Sequence, residues 1–129
     1  MSKLDQTISK LSAYVGEDRE EEVLMEHFDK LTPTFEKIRK QFPKISEKEC
    51  LVINQREQKY IIIESSRLRL SINKQRNVID VEKHKGIDVT KLDEIKVQDN
   101  ELYCVGRGEK FTEDILNDYL SETFVEILG

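Results

Sequence analysis

The spacing of apolar residues changes twice along this chain, and this change constrains the fold more than any other feature. Up to residue 42, large apolar side chains recur every three or four positions, which places them on one face of a helix. Between about residues 49 and 105 they alternate with polar residues, as in strands with one buried face. Beyond Thr112 the helical spacing returns. We therefore predict a single α+β domain over residues 1–129, with N-terminal helices, an antiparallel sheet and a C-terminal helix packed on one face of the sheet.

Two apolar stripes predict the N-terminal helices. The first stripe ends before Gly16, which we expect to stop a helix because glycine adopts the left-handed conformation easily; Asp18 is placed to cap the next helix. The second stripe keeps its phase across Pro33, which favours a kinked or barely interrupted helix over residues 18–42. The alternative is a break with Thr32 as N-cap and Pro33 at the first helical position. The stripes are Leu4, Ile8, Leu11 and Val15, then Leu24, Phe28, Leu31, Phe35, Ile38 and Phe42.

The clearest strand lies at residues 67–73, where apolar and polar residues alternate strictly. This alternation places Arg67 and Arg69 on one polar face, opposite an apolar face that holds the helices. Polar tetrads at hairpin spacing separate further short runs. We predict five or six antiparallel strands in a meander and interpret residues 86–94 as a loop or short helix capped by Asp88 or Thr90. The expected strands are 50–55, 60–64, 67–73, 78–81, 95–98 and 102–105.

The C-terminal helix has strong local signals. Thr112 is a typical N-cap, and Phe111 and Leu116 are spaced for a hydrophobic staple across that cap. The apolar stripe that follows is wide, which predicts deep burial against the sheet. It comprises Ile115, Leu116, Tyr119, Leu120, Phe124, Ile127 and Leu128.

Charge is distributed unevenly along the chain. The net charge of −5 is the sum of −5 over residues 1–36, +7 over 37–87 and −7 over 88–129. Such segregation steers association with charged partners. We therefore expect a non-enzymatic protein-interaction or regulatory module that binds a protein partner or self-associates as a homodimer. The candidate interaction surface is Lys37, Arg39, Lys40, Lys44, Arg67, Arg69, Lys74 and Arg76.

Nucleic-acid binding through the basic segment 37–76 is an alternative that the sequence disfavours. The whole domain is acidic, and we expect the exposed strand faces to lack interleaved aromatic side chains on which bases stack.

Catalytic and metal motifs are not evident in the sequence. His27, His84, Cys50 and Cys104 show no ligand spacing, so we predict no metal, no cofactor and no catalytic residue. Gly106-Arg107-Gly108 resembles half of a phosphate-binding loop but lacks the rest of that motif, so we interpret it as a turn. Arg107 and Lys110, near the start of the last helix, could alternatively hold an anion.

A small-ligand binder or enzyme is the other alternative. It requires polar groups that converge in a pocket between sheet and helices. The candidates for such groups are Arg107, Tyr103, His27 and Glu64.

We expect a cytoplasmic protein with no membrane association. The start of the chain has no apolar leader, and the longest aliphatic run, residues 61–63, is far shorter than the roughly 18 residues of a membrane span. The two isolated cysteines are expected to be buried free thiols, as is usual in a reducing compartment.

Short motifs at both ends carry a family resemblance. The segments Tyr14-Val15-Gly16-Glu17-Asp18 with Glu22-Val23-Leu24, and Glu109-Lys110-Phe111-Thr112 with Leu116, Asp118-Tyr119-Leu120 and the Leu128-Gly129 ending, are similar to a family of small uncharacterised proteins from Gram-positive spore-forming bacteria. That resemblance implies no site residue. In element order and charge, the chain also loosely resembles small acidic secretion chaperones, which is an analogy only.

Overall fold

The computed structural model describes residues 2–43 and 47–129, with the side chains of 15–21 left out. Two helices come first, seven strands follow, and two helices end the chain. The helices are α1 (Lys3–Asp29), α2 (Thr32–Gln41), α3 (Glu113–Thr123) and α4 (Val125–Leu128). The strands are β1 (Cys50–Asn54), β2 (Gln58–Ile63), β3 (Ser66–Asn73), β4 (Val78–Lys85), β5 (Asp88–Gln98), β6 (Glu101–Cys104) and β7 (Glu109–Lys110).

The strands form one antiparallel meander in the order β1 to β7, so the predicted α+β architecture is confirmed, with seven strands where five or six were expected. In the register, Ile61 of β2 faces Leu68 of β3 and Leu70 of β3 faces Val81 of β4, which places apolar residues of successive strands on one face. The C-terminal part of α1 (Leu24 and Phe28), α2 and α3 bury apolar residues against this face in a single core. Arg67 and Arg69 point to the opposite face, as predicted, and we call this uncovered side the open face.

The prediction of a loop or short helix at 86–94 is wrong, because β5 runs through it from Asp88. The register between β4 and β5 shifts at Val81 and Glu82, which marks a β-bulge. A bulge breaks the strict alternation by which a strand is recognised. The first four residues of β5 are also exposed, so no apolar residue there indicates a buried face.

Helix α1 continues through Gly16 and Asp18, so the predicted stop and cap are wrong. A glycine in a helix interior costs only about 1 kcal/mol relative to alanine. The surrounding residues are mostly helix formers, and they carry the helix past that position over 27 residues.

The helical stripe is interrupted for two residues, Lys30 and Leu31, before α2 begins. This is the barely interrupted form of the prediction, although the N-cap is Leu31 rather than Thr32. The Phe35 N–H donates to the Leu31 carbonyl oxygen at 3.1 Å, which keeps the two helices in phase. Pro33 in the first turn of α2 removes no helical hydrogen bond.

Helix α3 begins as predicted, because the Thr112 hydroxyl accepts a hydrogen bond from the Ile115 N–H at 3.3 Å. Ile115, Leu116 and Tyr119 are buried against the sheet. The predicted burial extends only to Phe124, where the backbone leaves the helical conformation. Ile127 and Leu128 lie in α4 and are exposed, so that part of the prediction is wrong.

A buried carboxylate joins α3 to the sheet. The Asp93 side chain has no solvent exposure. It accepts hydrogen bonds from the Gly106 N–H at 2.7 Å, the Glu94 N–H at 2.8 Å and the Tyr119 hydroxyl at 2.6 Å. A Cβ at Gly106 would lie 2.7 Å from an Asp93 carboxylate oxygen, so this turn requires a glycine.

Candidate interaction surfaces

The eight residues of the candidate interaction surface do not form one patch. Three lie on α2, Arg67 and Arg69 lie on the open face, and two lie in the β3–β4 turn. Lys44 falls outside the described residues. Helix α2 begins beside the β1–β2 turn, because the Asn54 side chain donates to the Thr32 carbonyl oxygen. The β3–β4 turn lies at the same end of the sheet, so the later residues of α2 lie away from it.

Most of the candidate cations that do not lie on α2 form ion pairs with carboxylates. Arg69 pairs with Glu82 at 3.6 Å, Lys74 pairs with Glu57 at 2.9 Å, and Arg76 pairs with Glu94. The open face therefore carries mixed charge rather than the cationic surface expected from segment 37–76.

Two tyrosines lie on the open face, so the expectation that the exposed strand faces lack aromatic side chains is wrong. Arg67 and Arg69 lie over the Tyr60 ring, 5.3 and 5.4 Å from its centroid, and Lys96 lies 6.0 Å from that of Tyr103. The alternation of β2 contained this signal, because Tyr60 has the opposite parity to the buried Ile61. The cations already cover these rings, which leaves them poorly placed for stacking with a base.

Helix α2 and strand β1 form a groove at one edge of the sheet. The groove has a volume of about 490 Å³. Its apolar walls come from the end of α2 and from β1, and its charged rim comes from α2. The lining residues are Glu36, Arg39, Lys40, Phe42, Pro43, Cys50, Leu51 and Val52.

The backbone of β1 presents unpaired groups to this groove. Antiparallel pairs alternate between hydrogen-bonded and non-hydrogen-bonded positions. The Glu64 N–H donates to the Glu49 carbonyl oxygen and the Gln55 N–H donates to that of Gln58, so odd-numbered residues of β1 bond to β2. Cys50, Val52 and Asn54 therefore direct their N–H and C=O groups to the free edge. Within residues 2–43 and 47–129, no strand pairs with that edge.

The exposed side of α2 is cationic. Lys37, Arg39 and Lys40 are all exposed, and among the described residues the ion pair found there joins Arg39 to Glu36 at 3.9 Å, within the same helix. Arg39 and Lys40 are the part of the predicted interaction surface that lines the groove beside the unpaired backbone groups of β1.

Lys59 holds the two walls of the groove together. It is fully buried and donates hydrogen bonds from Nζ to the Asn54 side-chain oxygen at 2.6 Å, the Thr32 hydroxyl at 3.0 Å and the Gln55 carbonyl oxygen at 3.1 Å. The rings of Phe28 and Phe35 also face its ammonium group, 5.1 and 5.9 Å away. Burial lowers the pKa of Lys59.

Sequence reasoning missed Lys59 by placing it in a polar turn. The available signal is its parity, because Lys59 alternates with Ile61 and Ile63 on the face that the helices cover.

A family model described as a protein of unknown function, DUF3942, matches residues 4–128. The chain belongs to the DUF3942 family. The expected membership of an uncharacterised family is confirmed, and the family description brings no function with it. No curated protein and no solved structure is significantly similar to the chain.

The polar residues considered for a small-ligand pocket lie apart in this DUF3942 domain. His27 contacts Asn100 at 3.4 Å, Tyr103 lies on the open face, and Glu64 lies in the β2–β3 turn. Arg107 bonds to carboxylates of Asp118 and Glu122 at 3.2 and 3.3 Å.

An anion site at the start of α3 also lacks support. Arg107 is engaged by α3 carboxylates, and Lys110 pairs with Glu101 at 2.7 Å. Two glycines flank Arg107 in the β6–β7 turn, where Gly108 has a φ of +71°. This geometry agrees with the interpretation of the segment as a turn.

Metal and thiol chemistry have no assembled site in the described part of the DUF3942 domain. No group of three His, Cys, Asp or Glu residues is placed there to hold a metal ion. Both cysteines are free thiols, and burial raises the pKa of Cys104 to about 11, which opposes formation of a thiolate nucleophile. None of the described helices combines the length and apolar character needed to cross a membrane.

Proposed function

We propose that this DUF3942 protein is a non-enzymatic interaction module that binds an extended acidic segment of a partner protein along β1. The observation that carries the proposal is the unpaired edge of β1 beside the cationic side of α2. Addition of a strand to an exposed sheet edge is a common mode of peptide recognition, in which the main chain supplies affinity and neighbouring side chains supply specificity.

The two sides of β1 define the sequence that the groove prefers. Alternate side chains of an added strand point to opposite faces of the sheet. Those on the α2 side meet Arg39 and Lys40, which favour carboxylates. Those on the open face meet Leu51, which is exposed, and Ile53. The preferred partner segment therefore alternates acidic and apolar residues.

Charge favours such a segment over the β1 strand of a second copy. Antiparallel pairing of two β1 strands would bring both α2 helices to the same side of a continuous sheet. Arg39 and Lys40, which line the groove, would then approach their own copies, and like charges at close range disfavour that arrangement. An acidic segment removes this repulsion and leaves the same backbone hydrogen bonds available.

A selection from displayed random octapeptides tests the proposal. We expect enrichment of peptides that alternate acidic and apolar residues, with affinity that falls as salt rises because the ionic contacts are exposed. Selection of peptides without that alternation, or of none, would contradict strand addition beside α2.

Three variants identify the binding site. Cys50→Pro removes an N–H at the free edge, where proline is tolerated in a strand, and should weaken binding at least tenfold. Lys40→Glu should weaken it comparably. Lys96→Glu, the matched control, makes the same charge change on the open face and should leave affinity unchanged; equal losses for both lysine variants would point to a nonspecific charge effect.

We also propose that the protein is cytoplasmic and comes from a Gram-positive bacterium. The free thiols, one buried and one half-buried, suit a reducing compartment, and the family resemblance at both ends of the chain supports a bacterial source. Fractionation of the native host, followed by detection of the protein, tests the location directly.

A further inference from the structure

The apolar side chains between Leu4 and Tyr14 of α1 are left exposed by the described part of the domain. Every residue from 2 to 14 is exposed. Leu4, Ile8, Leu11 and Tyr14 retain 68, 53, 60 and 66% of their accessible surface. In proteins, most of the stability of a helix comes from packing of its apolar face against other groups. The stripe is therefore a surface that needs a partner.

The stripe points away from the core of its own domain. Each helical residue turns by about 100°, so Leu4, Ile8 and Leu11 lie on a side roughly 150° from Leu24 and Phe28. Among the described side chains of α1, Leu24 and Phe28 lie in the hydrophobic core. The sheet therefore cannot cover the stripe unless the whole helix turns over.

The spacing of the stripe is that of a two-helix seam. Leu4, Ile8, Leu11 and Val15 are separated by four, three and four residues, as at the a and d positions of a coiled coil. The flanking e and g positions hold Asp5 and Ser12, and Thr7 and Tyr14. They contain no pair of like charges, so two copies of the stripe can pack together without repulsion at the rim.

The sequence beyond the stripe selects an antiparallel arrangement. The next seam positions, 18 and 22, are acidic in the sequence, so a parallel pair would oppose each of them to its own copy. In an antiparallel pair with Ile8 opposite Leu11, residue i lies opposite residue 19−i. That register brings the acidic positions 17 and 18 alongside the start of the other helix, close to Lys3.

We propose that residues 3–14 of α1 pair with the same segment of a second copy in an antiparallel two-helix interface. The segment is about 18 Å long, shorter than the seams of stable coiled coils, so the dimer forms in a concentration-dependent manner. This interface uses a different surface from the β1 groove, and either proposal can fail without the other.

Sedimentation velocity from low micromolar to millimolar concentration tests self-association. The wild-type chain should pass from monomer to dimer within that range. Leu11→Glu should remain a monomer, whereas Ser9→Glu, which adds the same charge in the same turn but away from the stripe, should dimerise like the wild type. A wild-type chain that stays monomeric, or a Leu11→Glu dimer as strong as the wild type, would overturn the proposal. Circular dichroism confirms that each variant is folded.

Distances between spin labels test the orientation. In a chain that carries Cys50→Ser, nitroxides are attached through Lys3→Cys or Lys10→Cys. The antiparallel register separates the two Lys3 positions by about 20 Å along the helix axis, and the two Lys10 positions by about 2 Å. Equal distances for the two label pairs would indicate a parallel dimer and refute the antiparallel arrangement.

Discussion

Removal of one hydroxyl group, by Tyr119→Phe, probes the buried polar centre that joins α3 to the sheet. The Tyr119 O–H donates to the Asp93 carboxylate at 2.6 Å, where Tyr119 and the side chain of Asp93 have no solvent exposure. A hydrogen bond to a charged group contributes about 1.5–3 kcal/mol. In the variant, Asp93 keeps its bonds from the Gly106 and Glu94 N–H groups, so the carboxylate is not left without partners. We therefore expect a loss of about 2 kcal/mol in the free energy of unfolding.

Urea unfolding followed by circular dichroism measures this loss, and the midpoint should fall with an unchanged m value. For a domain of this size, about 2 kcal/mol corresponds to a decrease of roughly 6–10 °C in Tm. Tyr103→Phe is the matched control, because it deletes the same group from the half-exposed Tyr103 on the open face and should change stability by less than about 0.5 kcal/mol. If both variants lose the same small amount, the Asp93 centre does not stabilise α3 on the sheet.

Three further perturbations test other parts of the structure. Gly106→Ala should destabilise the fold by at least about 2 kcal/mol in urea unfolding, because its Cβ would lie 2.7 Å from an Asp93 oxygen; a neutral effect would show that the turn can shift. Lys59→Ala should cost about 2–4 kcal/mol in the free energy of unfolding, and Lys59→Met less than half of that. Methionine keeps the buried volume, and the acceptors that lose the ammonium lie in residues that water reaches: Thr32 and Gln55 are exposed and Asn54 is half-buried. Equal losses in the two variants would show that the buried volume does not decide the cost. The pKa of Cys104 is raised from 9.0 to about 11 in the folded protein, so the thiol of the unfolded chain ionises first as pH rises. The free energy of unfolding should therefore fall through this pH range, by about 1.3 kcal/mol between pH 8 and pH 10 relative to Cys104→Ser. If the stabilities of the two proteins change with pH in parallel, Cys104 does not titrate in this way. Lys59 makes the opposite contribution, because its lowered pKa raises stability with pH up to 10.5, and this contribution cancels because both proteins contain Lys59.

The elements that were predicted correctly are those whose own residues form a clear local pattern. The alternation around Leu68 and Leu70 set β3 and its faces, and Thr112 fixed the start of α3 because an N-cap acts over three residues. Residues 86–94 could not be recognised as a strand, since the bulge and the exposed start of β5 remove the alternation. Gly16 led to a wrong prediction for a different reason. The tendency of a glycine to end a helix is weaker here than the tendency of the surrounding residues to continue it.

The candidate site was only partly accessible from sequence. The cations of α2 were recognised from composition, but their pairing state depends on which carboxylates the fold brings near. The groove itself depends on the strand order, which leaves β1 at an edge, and no residue in β1 encodes that order locally. Lys59 was missed because its charge suggested a surface position, whereas Asn54, Thr32 and the Phe28 ring offer it a buried one.

Amide hydrogen exchange of β1, measured by NMR with and without a synthetic decapeptide of alternating valine and glutamate, is the most direct test of strand addition. Binding should slow exchange at Cys50, Val52 and Asn54, whose N–H groups face the free edge, and leave Leu51 and Ile53, already bonded to β2, nearly unchanged. Saturating peptide that leaves the three edge amides as fast as before, or that perturbs only the open face around Tyr60, would contradict the account.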